Sequence, residues 1–122
     1  MLGVIVFAHG SRDPLWRKPI EAVAAQVTQT DATALVSCAY LELCEPDLPT
    51  AAAHLVAQGA QTLRVLPLFF GIGKHAREDL PLLLAALETA HPGVTIEALP
   101  SVGENPRLTA LLAQMALEPT SP

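Results

Sequence analysis

The sequence is poor in charged residues, in aromatic residues and in cysteine, and it has no long hydrophobic run. Charged side chains make up 16% and aromatic ones 4% of the 122 residues, with two cysteines. No hydrophobic run reaches the roughly 18 residues that a bilayer-spanning helix requires, so we expect no membrane partner. Because 51% of the residues are hydrophobic, the composition indicates one folded domain and excludes a disordered chain.

The charge balance also excludes a nucleic-acid partner. The net charge is −5 with only seven basic residues, and no dense basic patch is present. Cys38 and Cys44 are spaced unlike a zinc or redox motif, so we expect reduced thiols. The first residues, Met1 to Phe7, lack a basic segment before the hydrophobic run. They are predicted to form a strand and not a signal peptide, which favours a cytoplasmic location.

Four hydrophobic segments alternate with amphipathic ones along the chain. Strands are predicted at about residues 2–8, 34–41, 62–70 and 94–99. Helix starts are marked by Asp13–Pro14, Leu48–Pro49, Asp79 with Pro81, and Asn105–Pro106. This pattern predicts an α/β fold over residues 1–117: a four-stranded parallel sheet in the order 2-1-3-4 with helices on both faces. Residues 118–122 are predicted to be a frayed tail.

Pro67 is unusual within the third predicted strand, because a central strand does not readily tolerate proline. Either a bulge interrupts the strand there, or the strand is shorter than residues 62–70.

Two histidines follow hydrophobic runs and lie beside glycine. His9 follows Val4–Ala8, and His75 follows Val65–Phe70 and a glycine-containing turn. Because ligand sites lie outside the carboxyl ends of parallel strands, both imidazoles are expected at one edge of the sheet. Imidazole suits divalent transition metals, and a carboxylate of the second loop, which holds Glu42 and Glu45, offers a third ligand. The alternative is that these histidines are structural, which is the interpretation that we prefer for His54 and His91.

Cationic residues accompany both histidine loops. Arg12 lies beside His9, and Lys74 and Arg77 flank His75. In an acidic protein this placement favours an anionic ligand. Gly71 and Gly73 would let the backbone approach a flat ligand closely.

Three stretches resemble motifs of the sirohydrochlorin chelatases, the class II tetrapyrrole chelatases. They are His9-Gly10-Ser11-Arg12-Asp13-Pro14, the segment from Tyr40 to Pro46, and the segment from Pro67 to Pro81, in which Pro67 belongs to the family pattern. The resemblance covers nearly the whole chain and is closest to the short, single-domain, cobaltochelatase-like form.

The resemblance implies ATP-independent insertion of a divalent metal into sirohydrochlorin, with no organic cofactor. It implies that His9 binds the metal and accepts a pyrrole proton, that His75 is a second metal ligand and that Glu42 is an auxiliary one. Residues expected to touch the tetrapyrrole are Glu45, Phe70, Gly71, Ile72, Gly73 and Lys74. Arg12, Lys74 and Arg77 are expected to pair with the carboxylates of the tetrapyrrole. Short forms work as homodimers around the macrocycle.

The physiological metal is left open by these motifs. The chain lacks the histidine-rich segment of some nickel-inserting members, which favours Co²⁺, and hence cobalamin biosynthesis, with Fe²⁺ and siroheme close behind. Two other functions remain open: a non-catalytic carrier of metal or tetrapyrrole, and a domain in which His9 and His75 are inert.

Overall fold

The computed structural model describes residues 1–120 and contains one four-stranded parallel sheet in the order β2-β1-β3-β4. The strands are β1 (Leu2–Ala8), β2 (Leu35–Tyr40), β3 (Thr62–Pro67) and β4 (Thr95–Ala98). Strand β1 pairs with both β2 and β3, which places β1 and β3 at the centre. The predicted α/β class, strand order and parallel pairing are therefore confirmed.

Within residues 1–120, four α-helices and two short 3-10 helices connect and flank the strands. The α-helices are α1 (Lys18–Thr30), α2 (Leu48–Ala57), α3 (Lys74–Ala90) and α4 (Pro106–Leu117). The 3-10 helices span Pro14–Arg17 and Val102–Glu104. No helix within residues 1–120 has the length and hydrophobicity needed to cross a membrane.

The two faces of the sheet carry separate hydrophobic clusters, because successive side chains of a strand point to opposite faces. On one face, Ile5 and Phe7 of β1 pack with Leu48 and Leu55 of α2 and with Leu87 of α3. The other cluster joins buried strand residues to the first helix and consists of Val6, Ala8, Tyr40 and Ile20. Helices therefore cover both faces, as predicted.

Helix α4 buries none of its residues in this chain. Leu111 is 49%, Met115 55% and Leu117 85% exposed. The sheet is also incompletely covered at its β3–β4 side, where Arg64 and Glu97 pair across the strands with side chains 40% and 41% exposed. Among the described residues, helix α4 packs against the preceding 3-10 helix, and most of its apolar surface stays exposed.

The third strand ends at Pro67 and does not reach Phe70 as predicted. The Leu68 amide donates to the Phe7 carbonyl of β1, whereas the Val65 carbonyl accepts from Leu99 on the β4 side. Because successive residues of a strand face alternate neighbours, the nitrogen of Pro67 faces the β4 side, like Val65. Strand β4 has ended at Ala98, paired with Val65, before it reaches that level. The proline therefore removes no hydrogen bond of the sheet, which resolves its unusual position.

The prediction that α3 begins at Asp79 was wrong. The helix begins at Lys74, with Gly73 at its N-cap, and Pro81 lies inside the helix. Lys74, His75 and Arg77 therefore belong to the first helical turn and not to the preceding loop.

Other helix starts match the sequence signals more closely. Asp13 accepts a hydrogen bond from the Leu15 amide, but it caps the 3-10 helix that precedes α1 and not α1 itself. Asn105 caps α4, which ends at Leu117 as predicted. Residues 118–120 are exposed and follow the helix, whereas Ser121 and Pro122 of the predicted frayed tail lie outside the described residues.

Candidate functional site

The carboxyl edge of β1 carries an exposed histidine on a firmly fixed backbone. His9 directly follows β1 and is exposed, whereas Ala8 before it is buried. The carbonyl of His9 accepts a hydrogen bond of 3.0 Å from the Glu42 amide, and the carbonyl of Ala8 accepts one of 3.0 Å from the Leu41 amide. The first and second loops are therefore joined by their backbones.

Gly10 permits this close approach of the two loops. Its φ is +110°, and a Cβ atom there would lie 1.7 Å from the Glu42 carbonyl oxygen. Only glycine adopts this backbone conformation readily, and only glycine has no side chain to collide with the Glu42 carbonyl. The sequence motif contained Gly10, but its contact with Glu42 could not be deduced from the sequence.

The third loop packs against the imidazole of His9. The ring of Phe69 lies 5.7 Å from the His9 ring, centroid to centroid, at an interplanar angle of 82°. Phe69 is only 5% exposed, whereas its neighbour Phe70 is 73% exposed. Phe69 was missed in the sequence because it lies within a hydrophobic run that resembles ordinary core.

A cavity of about 400 Å³ opens beside His9. Its lining includes the predicted residues Phe70 and Gly71, together with Trp16 and Leu68. The ring of Trp16 packs against the ring of Tyr40, with the two centroids 6.1 Å apart. The arrangement places hydrophobic surface next to a polar group that can bind metal, which suits a flat organic ligand.

A larger cavity, of about 470 Å³, lies between α2 and α3 and contains none of the predicted site residues. Leu48, Asp79 and Leu83 line it. We assign the functional site to the cavity beside His9, because that cavity combines an imidazole with the third loop.

The third loop and the start of α3 bring the remaining predicted residues to the same edge. Lys74, His75 and Arg77 are all exposed in the first turn of α3, and the Arg77 amide donates to the Gly73 carbonyl at 3.0 Å. The free amides of a helix N-terminus favour negatively charged groups. This end of α3 therefore adds to the attraction that its two cations exert on an anion.

The predicted second-loop residues and Arg12 also lie on the surface. Arg12, Glu42 and Glu45 are exposed, whereas Ile72 of the third loop is half-buried against the core. Within residues 1–120, no three side chains of histidine, cysteine, aspartate or glutamate are gathered into a metal site. The three-ligand set of His9, His75 and Glu42 therefore stays a prediction.

The other two histidines lie away from this edge. His54 lies in α2 with a ring nitrogen 2.7 Å from the Gln58 side-chain nitrogen, and His91 follows the last turn of α3.

Burial affects two ionisable side chains on β2, beneath the site. It raises the pKa of Tyr40 to about 12, and the neighbouring Cys38 thiol adds to the rise. Burial also raises the pKa of the Cys38 thiol. Both groups are neutral at physiological pH and support the Trp16 side of the cavity by packing.

Comparison with known proteins gives the family of the chain. The CbiX family model matches residues 3–118. The chain belongs to the CbiX family. A crystal structure of a CbiX protein from Marinobacter aquaeolei VT8 is 35% identical, has a TM-score of 0.80 and is matched over 95% of this chain and 94% of that one.

Named relatives of this CbiX chain are sirohydrochlorin cobaltochelatases. The protein from Sulfolobus acidocaldarius is 32% identical over 95% of this chain and 90% of its own length. The one from Saccharolobus solfataricus is 38% identical over 84 residues, and the match spans only 64% of that protein. The sirohydrochlorin chelatase SirB from Bacillus subtilis subspecies spizizenii, solved in complex with cobalt, has a TM-score of 0.74 at 25% identity. The match covers 94% of this chain and 50% of SirB.

Proposed function

We propose that this protein is an enzyme that inserts a divalent metal ion, preferentially Co²⁺, into sirohydrochlorin without ATP. The observation that carries the proposal is the exposed imidazole of His9, fixed at the carboxyl edge of the sheet beside a hydrophobic cavity. Supporting it are the family membership and the relatives that are named sirohydrochlorin cobaltochelatases.

His9 has the chemistry that metal insertion requires. The ring nitrogens of the tetrapyrrole must lose their N–H protons while the metal ion exchanges its own ligands for them. A neutral imidazole binds a transition metal or accepts a proton near neutral pH. In our proposal, His9 holds the incoming ion and accepts a pyrrole proton, and its exposure leaves it accessible to both.

His75 and Glu42 complete the proposed ligand set. His75 lies in the exposed first turn of α3, and Glu42 follows β2. An incomplete set of protein ligands leaves coordination positions open, which a transfer site needs and a storage site does not. Glu42 takes the auxiliary position, and its backbone amide donates to the His9 carbonyl, which keeps the two residues adjacent.

The surrounding residues are proposed to bind the macrocycle. Sirohydrochlorin is rich in carboxylates, which suit the guanidinium groups of Arg12 and Arg77 and the Lys74 ammonium group. The exposed ring of Phe70, 73% accessible, offers hydrophobic contact to the flat face of the substrate. The proposed remaining contacts are Glu45, Gly71, Ile72 and Gly73.

We propose a homodimer as the working form, with the macrocycle between two copies. A tetrapyrrole is too wide for one small domain to enclose, and this chain matches only 50% of the SirB chain. Helix α4 offers a contact surface, because all of its described residues are at least partly accessible and Leu111 is 49% exposed. Parallel sheets are normally covered on both faces, and the half-exposed β3–β4 side lacks such cover.

Cobalt as the physiological ion, and cobalamin biosynthesis as the pathway, are part of the proposal. Insertion of Fe²⁺ for siroheme is the closest alternative, and Ni²⁺ is the third ion to compare. The expected location is the cytoplasm. A comparison of initial rates for the three ions under anaerobic conditions would rank them, and faster insertion of Fe²⁺ would move the assignment to siroheme.

The decisive experiment follows the absorbance of sirohydrochlorin after addition of Co²⁺. The wild-type protein should accelerate the spectral change over the spontaneous rate, and His9→Ala should remove the acceleration while the fold persists. His54→Ala, on α2 and bonded to Gln58, is the matched control and should behave as wild type. An active His9→Ala variant would reject the role of His9.

The same experiment distinguishes an enzyme from a non-catalytic carrier. If the protein binds sirohydrochlorin tightly but leaves the insertion rate at the spontaneous value, the protein is a carrier. Stopped-flow traces with and without the protein distinguish these outcomes directly.

A further inference from the structure

The ring of Phe69 occupies an unusual position between the core and the proposed metal ligand. It contacts the Phe7 ring at 5.9 Å and 85°, and the His9 ring at 5.7 Å and 82°. The three rings form a row in which each neighbouring pair is nearly perpendicular, an arrangement that aromatic rings favour. One end of the row is buried, with Phe7 1% exposed, and the other end is the exposed His9.

The backbone of Phe69 is fixed from two sides. The Leu68 amide donates to the Phe7 carbonyl at 2.7 Å, and the Gly103 amide donates to the Phe69 carbonyl at 3.1 Å. A Cβ atom on Gly103 would lie 1.6 Å from the Phe70 carbonyl oxygen, so the 3-10 helix at Val102–Glu104 closes directly over this turn. The ring of Phe69 is therefore held at a fixed place relative to β1.

Within residues 1–120, the protein surroundings of the His9 imidazole contact it by packing. Histidines that bind metal generally donate their second N–H to a carboxylate, a carbonyl or water, and this bond sets the ring direction. Among the residues that the structure describes, the side-chain hydrogen bonds include none to the His9 ring. The ring contact with Phe69 is the restraint that the structure supplies in its place.

We propose that Phe69 is a positioning residue that orients the His9 imidazole toward the ion and the pyrrole nitrogens. This inference rests on the proposed function of His9. A neutral imidazole has one basic nitrogen, so the lone pair that first holds the ion can take up a pyrrole proton only after the ion has moved to the ring. A perpendicular contact with Phe69 occupies neither nitrogen, so it can hold the direction of the ring through both steps.

The test compares Phe69→Leu with Phe7→Leu in the full-length protein. Each variant removes one ring of the row, but only the first removes the ring that touches His9. Phe69→Leu should lower kcat for Co²⁺ insertion about two- to tenfold, the range that an aromatic pair contributes. Its KM for sirohydrochlorin should stay within about twofold of wild type. Phe7→Leu should lower Tm and leave kcat near the wild-type value.

A second measurement observes the His9 imidazole directly and does not depend on an activity assay. The His9 ring protons, assigned by their loss in His9→Ala, should shift in the NMR spectrum of Phe69→Leu because the Phe69 ring current is gone. In Phe7→Leu they should move far less. If Phe69→Leu does not fold cooperatively, Phe69→Met fills a similar volume without a ring and replaces it.

Each outcome decides between the two proposals. If His9→Ala abolishes acceleration while Phe69→Leu keeps full kcat, the positioning role is wrong and the function of His9 stands. If kcat falls equally in Phe69→Leu and Phe7→Leu, core packing explains the loss and the positioning role is wrong. If His9→Ala retains acceleration, the proposed function of His9 fails, and the NMR shift alone would then describe a structural contact.

Discussion

The Glu42 amide donates a hydrogen bond to the His9 carbonyl at 3.0 Å, and Gly10 lies against the Glu42 carbonyl at a distance that excludes any side chain. Two loops that leave neighbouring strands are thus joined directly at the proposed site. The side chains of His9 and Glu42 extend from a single hydrogen-bonded unit. Backbone contacts therefore fix the separation of the two backbones from which these side chains extend.

Replacement of Gly10 by alanine tests this junction. Gly59→Ala is the matched control, because both glycines have a φ of +110° but nothing lies within 4 Å of a Cβ at Gly59. The control should lose about 1–2 kcal/mol from the backbone conformation alone. Gly10→Ala should lose more in urea denaturation and should also slow metal insertion. Equal losses in the two variants would show that the contact with Glu42 is easily relieved.

The topology and the position of His9 could be predicted from the sequence. Hydrophobic runs ending at Ala8 and Phe70 are typical of buried parallel strands, and right-handed crossovers leave few strand orders. The start of α3 could not be predicted well, because Asp79 and Pro81 gave a stronger helix-start signal than Gly73. Gly73 caps the helix without any side-chain hydrogen bond, so the usual signature is missing.

The other site residues that could not be predicted are defined by contacts between segments far apart in the sequence. Phe69 is one of several hydrophobic residues in its run, and nothing local shows that it meets the His9 ring. Gly103 is likewise constrained by the backbone of Phe69 and Phe70, which approaches from another loop. The contacts of such residues can be recognised only in the folded structure.

The role of His75 is tested by comparison with another histidine of the same helix. His75 lies in the first turn of α3, and His91 follows its last turn. His75→Ala should slow Co²⁺ insertion at least about tenfold. Loss of a residue that only hydrogen-bonds a metal ligand already lowers metal affinity or activity by about ten- to a hundredfold, so loss of a ligand should cost no less. His91→Ala should match the wild-type rate. Equal rates for all three proteins would remove His75 from the ligand set.

Tyr40 should make the fold sensitive to alkali. Its pKa is raised by burial from 10.0 to about 12, so the neutral phenol stabilises the folded state fully below pH 10.0. This contribution is lost as the pH rises through about 12, because the unfolded chain then releases the proton more readily than the folded one. Urea midpoints across this range should fall more steeply for wild type than for Tyr40→Phe. Parallel curves would contradict the prediction.

The ion pair between Arg64 and Glu97 should contribute little to stability. The Nε–Oε2 distance is 2.7 Å, but the side chains are 40% and 41% exposed, so solvent screens the attraction. A double-mutant cycle with Arg64→Met and Glu97→Gln should give a coupling of about 0.2–1 kcal/mol, decreasing with added salt. A larger coupling that resists salt would indicate that this side of the sheet is covered in solution.

Helix α4 provides the clearest test of the proposed dimer. Met115 is 55% exposed and no residue of the helix is buried in this chain, so Met115→Glu should barely change the stability of a monomer. If α4 covers a second copy, the buried carboxylate would disfavour association, because burial of an unpaired charge is costly. Light scattering should then show a dimer for wild type and a monomer for Met115→Glu. Insertion activity should fall with the dimer fraction, since the proposed cleft needs both copies. A wild-type monomer with full activity would show that one domain binds the macrocycle alone.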